Sequence, residues 1–229
     1  MANEDDFRRI ALGLFLLPVL ATCGCAAVDR TPPTVRAGRA LFESTFNPDR
    51  NFAGDLRPSS EDQLMLTAVA SSRDDHAPDY SLAIAYRCLT RANRNYECRY
   101  DARMLRMRPP GSALPDELAR AGTRAERDAA LDLADLDWVE ADILDCDGAL
   151  LALDVVGMTD WSPDVHYGRQ RLEVIPHPAQ IWVRMTGTYA TSRYQGWRHG
   201  AGVPTAVNRL LEVLAPCWRP SSSAPPWRR

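Results

Sequence analysis

The stretch SLAIAYRCLTRANRNYECRYDARMLRM, Ser81 to Met107, decides the fold. Leu82, Ile84, Tyr86 and Cys88 recur at every second position, the period of a strand with one apolar face. After the turn-prone ANRN (92–95), Tyr96, Cys98, Tyr100, Ala102 and Met104 alternate in the same way. Folding the two runs about Asn93 opposes Cys88 with Cys98, Tyr86 with Tyr100, Ile84 with Ala102 and Leu82 with Met104. One register thus aligns two apolar faces and two cysteines, which predicts an antiparallel hairpin. A helix from Tyr80 to Leu89 is the competing reading.

Working outward, further strands are expected at WVEADIL (Trp138 to Leu144), ALLALDVVGM (Ala149 to Met158), RLEVI (Arg171 to Ile175) and QIWVRMTGTYAT (Gln180 to Thr191). Asp147–Gly148 is a tight-turn dipeptide, so the first two read as a second hairpin. Helices are marked at their ends. TRAE (Thr123 to Glu126) is a capping box opening a helix to about Leu133, and LPDELARAG, closed by Gly122, suggests a shorter one before it. In VPTAVNRLLEVLAPCW, Pro204 sits near a first turn and Val207, Leu210, Leu211, Leu214 and Cys217 form one stripe. Antiparallel hairpins with a few covering helices make an α+β fold.

The amino end reads as an address. Arg8–Arg9 precedes the 12 apolar residues Ile10 to Ala21, a length suited to a signal-peptide core and short of the ~20 that span a bilayer. Leu20-Ala21-Thr22-Cys23 follows, which resembles the lipobox of bacterial lipoprotein precursors. The resemblance covers only about the first 23 residues. It implies cleavage of 1–22, lipidation of Cys23 and, with Gly24 rather than Asp next, passage to the outer membrane facing the periplasm. A plain secretory cut near Ala27 is the alternative. Residues 23–36 then form the anchor and an extended tether carrying Pro32–Pro33, and 37–218 a single domain. RPSSSAPPWRR, 219–229, is too rich in Pro and Ser to pack and is expected to be disordered.

Four cysteines remain: Cys88, Cys98, Cys146 and Cys217. An even number in an exported chain points to two disulfides with three possible connectivities. The hairpin register selects Cys88–Cys98 and leaves Cys146–Cys217 to fasten the last helix to the second hairpin. C-x9-C is not a zinc spacing.

Every one of the 27 basic residues is arginine, and the net charge is −3 with no dense basic stripe, so no nucleic-acid partner is expected. Nucleophile elbows, phosphate loops and dinucleotide fingerprints are missing from the sequence. His76, His166, His177 and His199 lie in no metal motif; RDDHAPD (73–79) reads as a solvated loop and DCDG (145–148) as the hairpin turn. No cofactor or metal is expected. The remaining signal is IWVRMTGTYATSRYQGWRHG (181–200). As a strand it turns Ile181, Val183, Met185 and Tyr189 inward and Trp182, Arg184, Thr186 and Thr188 outward, followed by Arg193, Tyr194, Trp197, Arg198 and His199. Trp, Tyr and Arg dominate interface hot spots; burial of Trp182 or Trp197 under the helices is the plainer account. The expectation is a non-enzymatic envelope lipoprotein, held to the membrane by its lipid, that binds a protein partner or envelope component through Trp182, Arg184, Arg193, Tyr194, Trp197 and Arg198. A periplasmic hydrolase with a dispersed Asp/His site and a small-ligand carrier are the alternatives.

Overall fold

A computed structural model of the chain describes residues 33–56, 62–71, 78–90, 96–108, 114–161, 179–187 and 190–228. Seven strands form one sheet: β1 (Gln63–Ser71), β2 (Pro78–Thr90), β3 (Tyr96–Met107), β4 (Leu136–Asp142), β5 (Gln180–Thr186), β6 (Thr191–Trp197) and β7 (Arg219–Pro220). Their order is β6-β5-β1-β2-β3-β4-β7, with neighbours antiparallel. The β2–β3 register pairs Cys88 with Cys98, Tyr86 with Tyr100, Ile84 with Ala102 and Leu82 with Met104, as the alternation requires. Both disulfides, Cys88–Cys98 and Cys146–Cys217, are formed.

Helices cover both faces, which makes the fold α+β. On the first face lie α4 (Ala149–Met158) and α5 (Val203–Leu214). Leu153, Val156, Val207 and Leu210 there meet Leu66, Leu82, Ile84 and Ile181 of the sheet in the main core. The second face carries a 3-10 turn, Pro48–Phe52, and three helices: α1 (Pro33–Thr45), α2 (Leu114–Arg120) and α3 (Arg124–Leu133). Phe42, Phe46, Leu118 and Leu131 pack there on Leu105 and Met107. The Thr123–Glu126 capping box is present, and hydrogen bonds from the Thr123 and Gly122 backbones hold the Glu126 carboxyl below its usual range. None of the described helices is long and apolar enough to cross a membrane.

Four sequence expectations are corrected. Ala149–Met158 is a helix, not the second strand of a hairpin. The run is apolar at every position but Asp154 and Gly157, so its alternation carries no information. Its buried set, Ala149, Ala152, Leu153 and Val156, nevertheless has helical spacing, and Leu151 and Met158 face solvent. Gly148, at φ 77°, opens this helix instead of turning a hairpin, so Cys146–Cys217 joins the α4 entry to the α5 exit. Helix α1 begins at Pro33, inside the expected tether, because Phe42 and Phe46 give it an apolar anchor. Finally, 219–228 are ordered. β7 pairs with β4, the Ser221 N–H donates to the Trp138 carbonyl, and Trp227 is buried beside Phe42. Its indole and the Arg228 guanidinium both donate to Asp132. A single Trp, with one carboxylate to meet it, outweighs the Pro/Ser composition. The expected strand at 171–175 lies outside the described residues.

Two predictions follow from this packing. Replacing Cys146 and Cys217 by serine should lower Tm more than replacing Cys88 and Cys98. Loop entropy assigns about 4.5 kcal/mol to the long bridge and about 3 to the short one, and thermal unfolding of the two double variants measures the order. The second concerns the tail. Hydrogen bonds from Arg228 and then Trp227 hold the Asp132 carboxyl below its ordinary value. The latch is therefore fully present above the pKa of a free carboxylate and lost as pH falls through the depressed one. The Trp227 indole N–H resonance should move toward its free position over that fall, and Asp132→Asn should hold it there at neutral pH.

Candidate functional site

Strands β1, β5 and β6 form the half of the second face that none of the described helices covers. Two cross-strand rows build its surface. Val69 stands opposite Trp182 and Trp182 opposite Gln195; one step along, Thr67 stands opposite Arg184 and Arg184 opposite Arg193. Pro48, from the 3-10 turn, forms the side wall, and together these residues line a shallow groove of about 370 Å³. Its floor is apolar at Val69 and Trp182 and cationic at the two arginines.

The local sequence explains the placement. In β5, Ile181 and Val183 are buried toward α4 and α5, so Trp182 and Arg184 must point to the opposite face. The strand ends at Thr186, and β6 returns from Thr191 instead of continuing β5. Met185 lies against Gly157 of α4, where an added Cβ would sit 3.0 Å from its Cε, so this glycine permits the approach.

Arg184 and Arg193 are directly opposed like charges, an arrangement that costs stability in a sheet. Asp49 pairs with Arg184. Arg193 is exposed and extends into the groove. Trp197, 52% exposed, continues the same side of β6 at the sheet edge. The structure therefore brings together Trp182, Arg184, Arg193 and Trp197. Tyr194 and Arg198 do not belong with them. Tyr194 is buried on the helix-covered face, and Arg198 follows the strand, pairing with Asp79 at 2.5 Å above the Tyr80 ring. Alternation within β6 contains the Tyr194 result, because Arg193 and Gln195 point one way and Tyr194 the other. Sequence reading missed Thr67, Val69, Pro48 and Asp49. β1 is apolar at Leu64, Met65, Leu66, Ala68, Val69 and Ala70 and shows no clean alternation.

A second polar cluster lies deeper on the same face, under the 3-10 turn. Arg87 and Arg99 are opposed across β2 and β3, and Asp101 stands 2.8 Å from Arg87 and 3.1 Å from Arg99. Arg103 is ion-paired with Asp55 and stacks on Phe52 at 4.5 Å. Among the described residues, no group of three or more His, Cys, Asp or Glu could hold a metal ion. His199 is exposed, whereas His76, His166, His177 and Tyr189 lie outside the described residues. Asp79, expected in a solvated loop, is buried and held by Arg198.

The fold and the groove thus define an antiparallel sheet, covered on both faces, with a half-open side carrying Trp and Arg. The chain matches no family model, no curated protein and no solved structure.

The opposed arginines give a test of the local energetics. Arg193→Thr should raise Tm by about 1–3 °C in low salt, since removing a like-charge cross-strand pair returns up to ~1 kcal/mol in a domain of this size. Added salt should close the gap between variant and wild type, read by thermal unfolding across a salt series.

Proposed function

We propose that this protein is an envelope lipoprotein, held at Cys23 by lipid, whose folded domain binds a protein partner through the open half of its sheet. The observation that carries the reading is the Arg184–Arg193 pair beside Trp182 on a surface left uncovered by the described helices. An indole with two guanidiniums is the residue set from which interface hot spots are built, because each covers large area at little conformational cost. The partner that suits it carries a carboxylate to sit between the arginines and an apolar side chain to cover Trp182 and Val69. Asp49 already plays that part for Arg184 from within the chain.

The two disulfides support an oxidising compartment. With the signal-like residues 1–22 and the lipobox at Cys23, they favour export over a cytosolic life. The groove is a shallow trough on a sheet face, a shape better suited to a protein segment than to a sequestered small molecule.

Photo-crosslinking in intact cells tests the reading directly. A photoreactive residue at position 193 should give a discrete adduct that disappears when Trp182→Ala and Arg184→Ala are added, with Tm unchanged within about 2 °C. The same residue at position 209, on the exposed side of α5, should give none. Equal adducts from both positions, or an adduct from 193 that survives the double substitution, would sink the open-face reading. Release of the protein from membranes by Cys23→Ala checks the anchor separately.

A further inference from the structure

The first face holds a separate cleft, of about 500 Å³, where α5 ends over β2, β3 and β4. Its floor begins with a cross-strand row in which Tyr80 stands opposite Arg106 and Arg106 opposite Asp137. The next row brings Met104 opposite Val139. Leu211 and Trp218 form the roof, and Arg198 closes one side. The volume lies within the usual range of small-molecule sites, roughly 300–1,000 Å³.

Two features of the cleft point to a ligand. Tyr80 is 4% exposed, yet its hydroxyl has no hydrogen-bond partner among the described residues. A buried hydroxyl left unpaired is costly, so such groups are normally satisfied. Burial, chiefly, pushes its pKa up to about 12, so the hydroxyl remains a neutral donor throughout the physiological range. The second feature is charge. Asp137 Oδ2 accepts from Arg106 Nε at 3.0 Å and Nη2 at 2.5 Å, and also pairs with Arg108. Arg198 takes Asp79. Among the described residues lining the cleft, three guanidiniums therefore meet two carboxylates, which leaves a surplus of one positive charge there. The orphan donor and the surplus charge border one apolar surface made by Met104, Val139, Leu211 and Trp218.

We propose that this cleft binds a small amphiphilic anion, with its oxyanion between Tyr80 and the arginines and its apolar body on Met104, Val139, Leu211 and Trp218. Arginine suits this role because its planar fork meets carboxylate and phosphate oxygens in pairs. The site lies on the opposite face from the Trp182 groove, so it stands or falls independently of that reading.

Calorimetric titration of the full chain with octanoate, octyl phosphate and neutral octanamide tests the assignment. Saturable binding of at least one anion is expected, with octanamide at least tenfold weaker; the stronger anion identifies the oxyanion. Tyr80→Phe removes a hydroxyl with no partner in the fold, so its Tm should stay unchanged while anion affinity drops about five- to tenfold. Arg108→Gln, at an exposed side chain, should weaken binding similarly, and Trp182→Ala should leave it unaffected. Failure of both anions to bind saturably at millimolar concentration would overturn the proposal. So would equal binding of octanamide, or wild-type affinity in both Tyr80→Phe and Arg108→Gln.

Discussion

The guanidinium of Arg103 sets the layout of the second face. It is 7% exposed in the middle of the sheet, and burying a charge costs several kcal/mol unless it is paired and hydrogen-bonded. The 3-10 turn supplies what it needs: the Asn51 carbonyl accepts from Nη1 at 3.0 Å, Asp55 provides the counter-charge, and the Phe52 ring lies 4.5 Å below. The Asn51 side chain answers by donating to the Ser81 and Arg103 carbonyls. A turn bound this tightly has one position on the sheet, and that position divides the face. On one side α1, α2 and α3 close over Leu105 and Met107; on the other, Pro48 and Asp49 become the wall of the open groove. The candidate site is thus bounded by the same residues that satisfy the buried charge.

The first face depends on a different fastening. Cys146–Cys217 ties the entry of α4 to the exit of α5, so both helices are fixed at one end. The chain leaving that bridge runs over Trp218 into β7, at the β4 edge of the sheet, and reaches the second face with Trp227. The carboxyl end therefore serves both layers. It roofs the cleft above Tyr80 and Arg106, then plugs the cluster around Phe42 and Phe46. Glu140 marks the crossing: it faces Arg219 across the ladder and accepts from Ser221.

What the sequence discloses depends on how many independent signals a segment carries. The β2–β3 hairpin was legible residue by residue because two alternating faces and two cysteines demanded one register. The α3 capping box and the α5 stripe were legible for the same reason, being local patterns with a single solution. Segments with apolar residues on both sides lost that information. β1 lies between β5 and β2 with apolar residues on both its faces, and α4 is apolar around its circumference except at Asp154, so neither announces its period in the sequence. The tail was misread because composition averages over residues, whereas packing here rests on Trp227 and Asp132. The candidate site was half visible: Trp182 and Arg184 followed from strand alternation, but Pro48, Asp49 and Val69 come to it only through tertiary structure.

The two opposed arginine pairs on the second face make the strongest comparison within the molecule. Arg87 faces Arg99, and the fold places Asp101 within 3.1 Å of both, so the repulsion is neutralised from inside the chain. Arg184 faces Arg193 in the same geometry, but the carboxylate provided, Asp49, reaches Arg184 alone among the interactions of the described residues. Both pairs stand on neighbouring parts of one sheet, so backbone geometry does not distinguish them. The difference is cover: the first lies beneath the 3-10 turn and the carboxyl-terminal strap, the second in an open groove. A carboxylate arriving from outside would complete the second pair as Asp101 completes the first. The half-buried indole of Trp182 beside it gives the bearer of that carboxylate an apolar surface on which to rest.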